Sequence, residues 1–209
     1  MSSIFWVSDS FRKHMAQAVH DLENDTYKLA LVTSSAATPE DAWAASTAYT
    51  AGDVVVPTTR NGHRYICTVA GTSGATEPTW PTTTDETVGT TPQFKEYGGD
   101  MCAHDLWADF SGAEVANGNG YTTGGVALTT QALTQIYRDV FWTADNVDWT
   151  ALTKTFRYAV LYKVGTTNGI VNGVVGYQLC DDTFVDKEIS GINYRIYWSV
   201  NGILKVSKS

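Results

Sequence analysis

The segment from Trp43 to Pro81 constrains the fold more than any other part of the chain, because it consists mainly of aromatic residues, turn signals and short apolar runs. A Gly52-Asp53 turn precedes the apolar run 54–56, and an Asn61-Gly62 pair precedes the run 65–69. Asn-Gly pairs favour tight hairpins, since both residues tolerate a positive φ. The segment therefore predicts a small β module that has aromatic faces and no catalytic apparatus.

The order of these residues resembles that of the small chitin-binding-like carbohydrate-binding modules. In that family a Trp and a Tyr precede Gly-Asp-x-Val, a second Tyr lies in the next strand, and a Pro/Trp-rich segment closes the module. The ending AGTSGATEPTWP is similar to modules embedded in structural proteins of tailed bacteriophages. The resemblance covers residues 43–97 and implies that exposed rings stack on sugars. The matching positions are Trp43, Tyr49, Tyr65 and Trp80.

The same four rings have a second interpretation, as the core of a module too small to build one from aliphatic side chains. We favour the core interpretation for Tyr49 and Tyr65. For Trp43 and Trp80 both interpretations stay open, because either ring can lie at the surface.

Composition limits the classes of function. The chain has 209 residues, of which 43% are hydrophobic and 17% charged, so it has the composition of a folded protein of one or two domains. A net charge of −8 argues against a nucleic-acid partner. There is no phosphate-binding loop motif and no run of apolar residues long enough to span a membrane. The N-terminus lacks the features of a signal peptide, so we expect synthesis and folding in a cytoplasm.

Metal, cofactor and catalytic sites are not expected. The three cysteines are an odd number without metal-ligand spacing, which predicts buried thiols, and the scattered His63 and His104 do not suggest zinc. Glycoside hydrolysis needs only two carboxylates, but all the candidate pairs lie in polar stretches beside turns, where carboxylates are normally solvated. We therefore predict that the protein is not an enzyme. The pairs are Asp85 with Glu86, Asp145 with Asp148, and Asp181 with Asp182.

The remainder of the chain predicts few helices and many short strands. Ser8-Asp9-Ser10 offers a helix N-cap, and apolar residues follow it at helical spacing, at Phe11, Met15, Val19 and Leu22. Apolar runs predict strands at 27–33, 140–142, 157–162 and 174–179. The final strands, 194–200 and 203–206, flank Asn201-Gly202 and predict a hairpin. This pattern is typical of a mainly β fold, an antiparallel β-sandwich or barrel-like domain with one N-terminal helix.

The outer segments carry a second resemblance, to a family of phage particle proteins. In that family a strand of the form YK-x-AL-x-TSSA precedes E-V-x-x-x-GY-x-x-GG-x-x-L. The matching residues here begin at Tyr27 and at Glu114, and Gly124-Gly125 most simply supplies positive φ for a turn. Between the two halves lies the aromatic module. We therefore predict a discontinuous host domain, residues 1–42 plus 98–209, with a module inserted at 43–97.

Together the resemblances imply a virion structural protein, made in the bacterial host cytoplasm. The leading hypothesis is a capsid decoration or cement protein that docks on the head lattice in symmetric copies as a homo-oligomer and displays the module outward. The alternative is a tail, neck, baseplate or fibre component that acts in host attachment. Expected partners are phage capsid or tail proteins and cell-surface glycans, without nucleic acid. A secreted glycan-binding protein is a further class, and residues 2–7 are either an arm or an ordinary first strand.

Overall fold

The computed structural model describes residues 5–181 and 183–206, and it confirms a mainly antiparallel β fold with few helices. The described residues contain two short helices, α1 (Phe11–Ala16) and α2 (Ala108–Ser111). The strands are β1 (Phe5–Val7), β2 (Tyr27–Val32), β3 (Ala48–Tyr49), β4 (Val54–Val55), β5 (His63–Val69), β6 (Gly71–Thr72), β7 (Thr87–Val88), β8 (Gln93–Gly99), β9 (Val126–Ala127), β10 (Ala132–Ile136), β11 (Asp139–Thr143), β12 (Val147–Phe156), β13 (Tyr158–Lys163), β14 (Thr166–Thr167), β15 (Ile170–Val171), β16 (Val174–Leu179), β17 (Lys187–Ile196) and β18 (Leu204–Val206).

The chain divides into two compact units. The host unit comprises the segments up to Ala36 and from His104 onward, and the module comprises Ala37–Ala103. The predicted module boundaries, 43–97, fall inside the second unit. That the two units fold independently, as host and inserted guest, stays a prediction.

The host unit is built on a five-stranded sheet in the order β1-β16-β13-β2-β9. A three-stranded sheet β10-β11-β18 and the ribbons β12-β17 and β14-β15 complete its strands. The central strands β2 and β13 are buried almost throughout, as their apolar sequences require. A shared core of aliphatic and aromatic side chains includes Leu29, Leu31, Trp142, Leu152 and Phe156.

Four host strands lie where the sequence predicts them, at β2, β11, β13 and β16, and residues 5–7 form an ordinary first strand paired with β16. Residues 2–4 of the predicted arm lie outside the described residues. The long strand β12 was not predicted. Its burial pattern changes phase at a bulge, where Ala151 has a φ of 50°, so no single alternation runs through it.

The predicted N-terminal helix is shorter than its apolar pattern. It begins after Ser10 as expected, but the Ser10 side chain does not cap it, and the helix ends at Ala16. Ala18 adopts a φ of 51°, and its N–H and that of Val19 donate to the carbonyls of Met15 and His14. This is a Schellman ending. Val19 and Leu22 are buried all the same, whereas Met15 is 38% exposed. The pattern therefore predicted burial correctly at the other positions, but it was wrong for Met15 and for the length of the helix.

The predicted C-terminal hairpin is also wrong. Residues of β17 pair with β12, whereas β18 pairs with β11, so the two segments flanking Asn201-Gly202 join different sheets. Gly202 does take a positive φ of 77°, and it closes a turn with Ser199. Long-range pairing overrides the local hairpin signal here.

The residues of the second sequence pattern meet in one hydrogen-bonded cluster. The Glu114 carboxylate accepts hydrogen bonds from the Tyr121 hydroxyl at 2.6 Å and from the Gly124 N–H, and the Tyr121 oxygen accepts the Leu31 N–H at 3.2 Å. Burial, reinforced by Glu114, raises the pKa of Tyr121. A side chain at Gly125 would lie 2.2 Å from the Leu29 carbonyl oxygen. These residues therefore join the segment 114–125 to β2, which is a structural role.

The module contains a four-stranded sheet, β4-β5-β8-β7, and a small β3-β6 ribbon. The strands predicted at 54–56 and 65–69 correspond to β4 and β5, although Asn61-Gly62 is not the predicted tight hairpin. Gly62 has a φ of 86°, but the Asn61 side chain instead bonds the His63 N–H and the Tyr65 hydroxyl.

None of the helices in the described part of the chain is long and apolar enough to cross a membrane.

Candidate functional site

The module is organised around an aromatic cluster on one face of its sheet. Strand β8 alternates in burial, so Phe94 and Glu96 point inward while Lys95 and Tyr97 point to the other face. The cluster comprises Trp43, Tyr49, Val55, Tyr65, Cys67 and Phe94, with Trp80 and Val88 packed against it.

Three of the four predicted stacking residues belong to this core. Trp43, Tyr49 and Tyr65 are 6%, 8% and 0% exposed. The Tyr65 hydroxyl donates to the Pro81 carbonyl at 2.7 Å and accepts from the Asn61 side chain at 2.8 Å. Burial raises the pKa of Tyr65 to about 12, although the Asn61 hydrogen bond lowers it. A ring with no exposed surface and a satisfied hydroxyl supports the fold, so of the two interpretations of Tyr65 the structure agrees with the favoured one, core, and not with sugar stacking.

Tyr49 likewise lies in the core, as the favoured interpretation predicts, and not at a stacking surface. Its hydroxyl accepts the Ala44 N–H at 2.7 Å, and its ring meets Phe94 edge-on, with centroids 5.2 Å apart. The ring thus ties the loop after Trp43 to the sheet. Trp43 is buried too, but its remaining exposed edge lines a surface cavity.

Trp80 is the one predicted stacking residue that is only partly buried. Its ring lies over Tyr65, with centroids 4.4 Å apart, and meets Phe94 edge-on at 5.4 Å. The indole Nε1–H donates to Glu77 Oε1 at 2.8 Å. One face of the ring therefore packs on the core, and the hydrogen bond fixes the orientation of the ring at the surface.

Glu77 is itself held in place. It accepts the Thr58 N–H at 2.9 Å and a further hydrogen bond from the Thr58 hydroxyl. Burial pushes the pKa of Glu77 upward, but the hydrogen bonds from Thr58 and Trp80 outweigh burial and lower the pKa below its usual value. The ionised carboxylate of Glu77 thus connects the loop that contains Thr58 to the segment that carries Trp80.

A cavity of about 250 Å³ opens beside the aromatic cluster. Its apolar lining comes from Trp43, Pro78, Val88, Pro92 and Phe94. Phe94 contributes to this cavity and also contacts Trp80, so the core ring links the two surface features.

Hydroxyl groups complete the lining, from Ser73, Thr76, Thr90 and Thr91. The Ser73 hydroxyl is already used, because it donates to the Ala44 carbonyl at 2.7 Å and accepts the Thr47 N–H. Within the described residues, the hydroxyls of the three threonines make no hydrogen bond to the protein, and all three threonines are exposed. The cavity thus combines an apolar lining with polar groups that are available to a ligand.

Tyr97 is an exposed aromatic residue that the sequence analysis did not single out. It is 48% exposed, and the Arg64 guanidinium lies 4.9 Å from its ring centroid. Only the alternation along β8 places it opposite to Phe94, and this register is not evident from the motif. Its position makes it a reference residue for the opposite sheet face.

Buried charges support the module from within. Glu96 is 2% exposed and accepts hydrogen bonds from His63 at 2.9 Å and from the Gly98 N–H at 2.8 Å. Asp100 is fully buried and pairs with Arg60 at 2.7 Å. Each buried carboxylate has partners, as burial of a charge requires.

The described residues contain no group of three or more side chains suited to hold a metal ion. His63 pairs with Glu96, and His104 with Asp109 at 3.7 Å. The three cysteines are free thiols; Cys67 and Cys102 are buried and Cys180 is half-buried.

The carboxylate pairs considered for hydrolysis carry ordinary structural contacts. Asp85 pairs with Lys95 at 2.6 Å, and Asp148 pairs with Arg195. Asp145 accepts the Thr130 hydroxyl at 2.6 Å. Asp181 accepts hydrogen bonds from Thr183, whereas its predicted partner Asp182 lies outside the described residues.

Comparison with known proteins agrees with the geometry of the module. Residues 42–107 match the family model described as carbohydrate-binding module family 5/12. Comparisons with curated proteins and with solved structures give no match. Residues 42–107 are therefore similar to a carbohydrate-binding module, and the match includes the partly buried Trp80 and every residue that lines the cavity.

Proposed function

We propose that the protein binds glycans through its module, at the surface formed by Trp80 and the adjoining cavity. The observation that carries this proposal is the match of residues 42–107 to a carbohydrate-binding family, on a segment whose surface offers both an aromatic ring and free hydroxyls.

The chemistry of a sugar fits this surface. A pyranose ring has an apolar C–H face and a rim of hydroxyl groups, so its binding sites pair an aromatic or apolar wall with a few hydrogen-bonding groups. Trp80 and Pro78 supply apolar surface, and Thr76, Thr90 and Thr91 supply hydroxyls. Neighbouring carboxylates are engaged in structural contacts, so we propose binding without catalysis.

The test is retention of the purified protein on chitin and on peptidoglycan. Trp80→Ala is expected to weaken retention by about tenfold or more. The reason is that the loss of one aromatic stacking surface costs about 1.4 kcal/mol of binding free energy, which corresponds to a tenfold change in affinity. Tyr97→Ala removes an exposed ring from the opposite face of the same sheet and is the matched control, expected to bind normally. Retention of Trp80→Ala together with loss in Tyr97→Ala would assign binding to the other face.

Stability separates the two roles of Trp80. Thr90→Val alters the cavity hydroxyls without touching the Trp80 packing on Tyr65. We expect Thr90→Val to weaken retention while the melting temperature stays nearly unchanged. A large fall in melting temperature for Trp80→Ala, with normal binding by Thr90→Val, would mean that Trp80 serves the core and that the cavity is not used.

We further propose that the protein is a virion structural protein of a tailed phage. Support comes from the sequence pattern of the host unit, whose residues Leu31, Glu114, Tyr121 and Gly124 form one cluster. Within this class we favour a capsid decoration or cement protein that displays the module, with a tail, neck or baseplate component as the alternative. Many copies on one particle would convert weak sugar contacts into avidity.

Immunogold labelling of intact particles tests this second proposal. Label over the icosahedral head supports decoration, whereas label confined to the neck or tail supports an attachment role. Absence of the protein from purified, disrupted particles would contradict a virion role while leaving glycan binding by the module intact.

A further inference from the structure

Strand β10 is an edge of the three-stranded host sheet. In the part of the chain that the structure describes, β11 is its only strand partner. Its sequence, ALTQI, contains neither a charge nor a proline. Natural proteins protect exposed edges with charges, prolines, bulges or very short strands, because an open edge readily pairs with another strand.

The other edges of the host sheets have such protection. Strand β18 carries Lys205, and the ribbon β12-β17 carries Asp148, Lys154 and Arg195. The edge strands β1 and β9 have only three and two residues. Among the described strands, β10 is thus the longest edge without a charge.

The register of β10 shows which backbone groups face outward. The Leu133 N–H donates to the Glu23 carboxylate at 3.2 Å, so it points away from β11. In an antiparallel ladder every second residue shares this direction, and Gln135 therefore also faces outward. The outward-facing backbone groups of Leu133 and Gln135 therefore lie on either side of Thr134.

Several apolar side chains at this edge are open to solvent. Ile136 is 52% exposed, Leu133 38%, and Tyr137, in the two-residue turn after β10, is 95% exposed with a φ of 55°. Bulky residues seldom adopt this backbone conformation. The turn thus presents a large aromatic ring at the tip of the hairpin.

Charges at the two ends of the edge are opposite. At the tip, Arg138 is exposed and pairs with no carboxylate among the described residues. At the base, Glu23 bonds the Leu133 N–H, and Asp145 accepts the Thr130 hydroxyl at 2.6 Å. When such a strand is rotated by 180° and laid antiparallel to itself, its positive end meets the negative end of the other strand.

We propose that β10 pairs antiparallel with β10 of a second copy of this chain. The two-fold axis passes Thr134, so Leu133 of each copy faces Gln135 of the other, and outward backbone groups meet outward groups. Ile136 then lies opposite Ala132, and the threonines on the axis form a favourable cross-strand pair. The result is a continuous six-stranded sheet across the dimer.

The same register brings opposite charges of the two copies together. Arg138 of one copy lies opposite Thr130 of the other and next to Asp145. Pairing displaces the Glu23 carboxylate from the Leu133 N–H, because the backbone of the second copy takes that position. In the free chain Glu23 thus occupies one outward N–H, that of Leu133. Arg138 of the second copy gives the displaced carboxylate a new cationic neighbour. This interface lies on the host unit and does not depend on glycan binding.

Sedimentation velocity and equilibrium measurements on the intact protein, over a wide range of concentration, test the dimer. Thr134→Lys places two like charges opposite each other on the axis, and we expect it to weaken dimerisation by about tenfold or more. Thr150→Lys adds the same charge at an exposed position of β12 and is the matched control. Arg138→Glu should also weaken the dimer, and Arg138→Lys should preserve it.

A single monomeric species at all concentrations would overturn the proposal, as would equal weakening by Thr134→Lys and Thr150→Lys. If the wild type is monomeric but Thr134→Lys abolishes its binding to particles, the partner at β10 is another particle protein and the second copy is excluded. Circular dichroism and retention on chitin verify that each variant is folded, and a glycan-binding failure alone leaves the dimer result unaffected.

Discussion

The module and the host unit form their cores from different materials. The module core is mostly aromatic, with Tyr65 and Phe94 at its centre, and the buried carboxylates of Glu96 and Asp100, each with its partners, lie in the same unit. The host core instead consists mainly of aliphatic side chains, such as Leu29 and Leu152 from long paired strands, together with six buried rings.

The difference follows from size. A unit of under about 80 residues buries too little aliphatic surface to be stable, so large rings and cross-linking polar groups must supply the remainder. Each ring of the aromatic cluster therefore serves the fold first. A ring becomes available to a ligand only where it projects beyond the core, as Trp80 does.

The largest expected effect that tests this contrast is Phe94→Ala. Phe94 is 2% exposed and contacts both Tyr49 and Trp80, so its removal should cost the module about 3–5 kcal/mol. Hydrogen-exchange mass spectrometry, read from peptides of residues 37–103, measures the loss of protection. Val69→Ala, at a 42% exposed position of β5, is the control and should change stability by less than about 0.5 kcal/mol.

Peptides from the host core should keep their protection in Phe94→Ala. Equal loss of protection across β2 and β13 would show that the two cores unfold as one, and the comparison between them would then lose its meaning.

A second expected effect is that acid lowers the stability of the host unit. His20 is buried against Tyr27, and burial, with His14 and Lys163 nearby, lowers its pKa to about 4. In the unfolded chain a histidine binds a proton near pH 6.5, whereas the folded host unit resists it. Host stability should therefore fall as the pH drops from 6.5 towards 4, by up to about 3 kcal/mol. Urea unfolding at a series of pH values measures this loss.

The substitution His20→Phe removes the titrating group and keeps an aromatic ring. The variant should lose most of this pH dependence between 6.5 and 4. If its stability falls with acid as steeply as that of the wild type, the buried histidine is not the cause, and His14, whose pKa is also lowered by burial, becomes the group to replace.

Local patterns in the sequence predicted the strands that consist almost entirely of apolar residues. They failed where the pairing of a strand depends on segments that are distant in the sequence. β2 and β13 read as continuous apolar runs and occur as such. The Asn201-Gly202 signal is just as strong, but its flanking strands find better partners in β11 and β12. β12 itself was hidden because its bulge at Ala151 reverses the alternation.

The candidate site shows the same limit. The motif locates the module correctly, because turn glycines and ring spacing are local properties. Burial is not local, since Tyr65 is covered by Trp80 and bonded to Pro81, fifteen or more residues away. The cavity likewise needs Trp43 and Phe94 to converge from distant segments, so neither the cavity nor the role of Tyr97 follows from residue order.

The smallest expected effect concerns Glu77, whose hydrogen bond fixes the Trp80 ring at the surface of the aromatic module. Glu77→Gln keeps the shape of the side chain that bonds Trp80 and Thr58 but removes its charge, and should cost about 1 kcal/mol. The loss should be present at neutral pH and vanish in acid, because the lowered pKa of Glu77 stabilises the fold only while the carboxylate is ionised. Glu86→Gln, at an exposed position, is the control. If glycan retention weakens in Glu77→Gln by more than stability does, the carboxylate orients Trp80 for binding; equal behaviour of both variants would mean that packing on Tyr65 alone holds the ring.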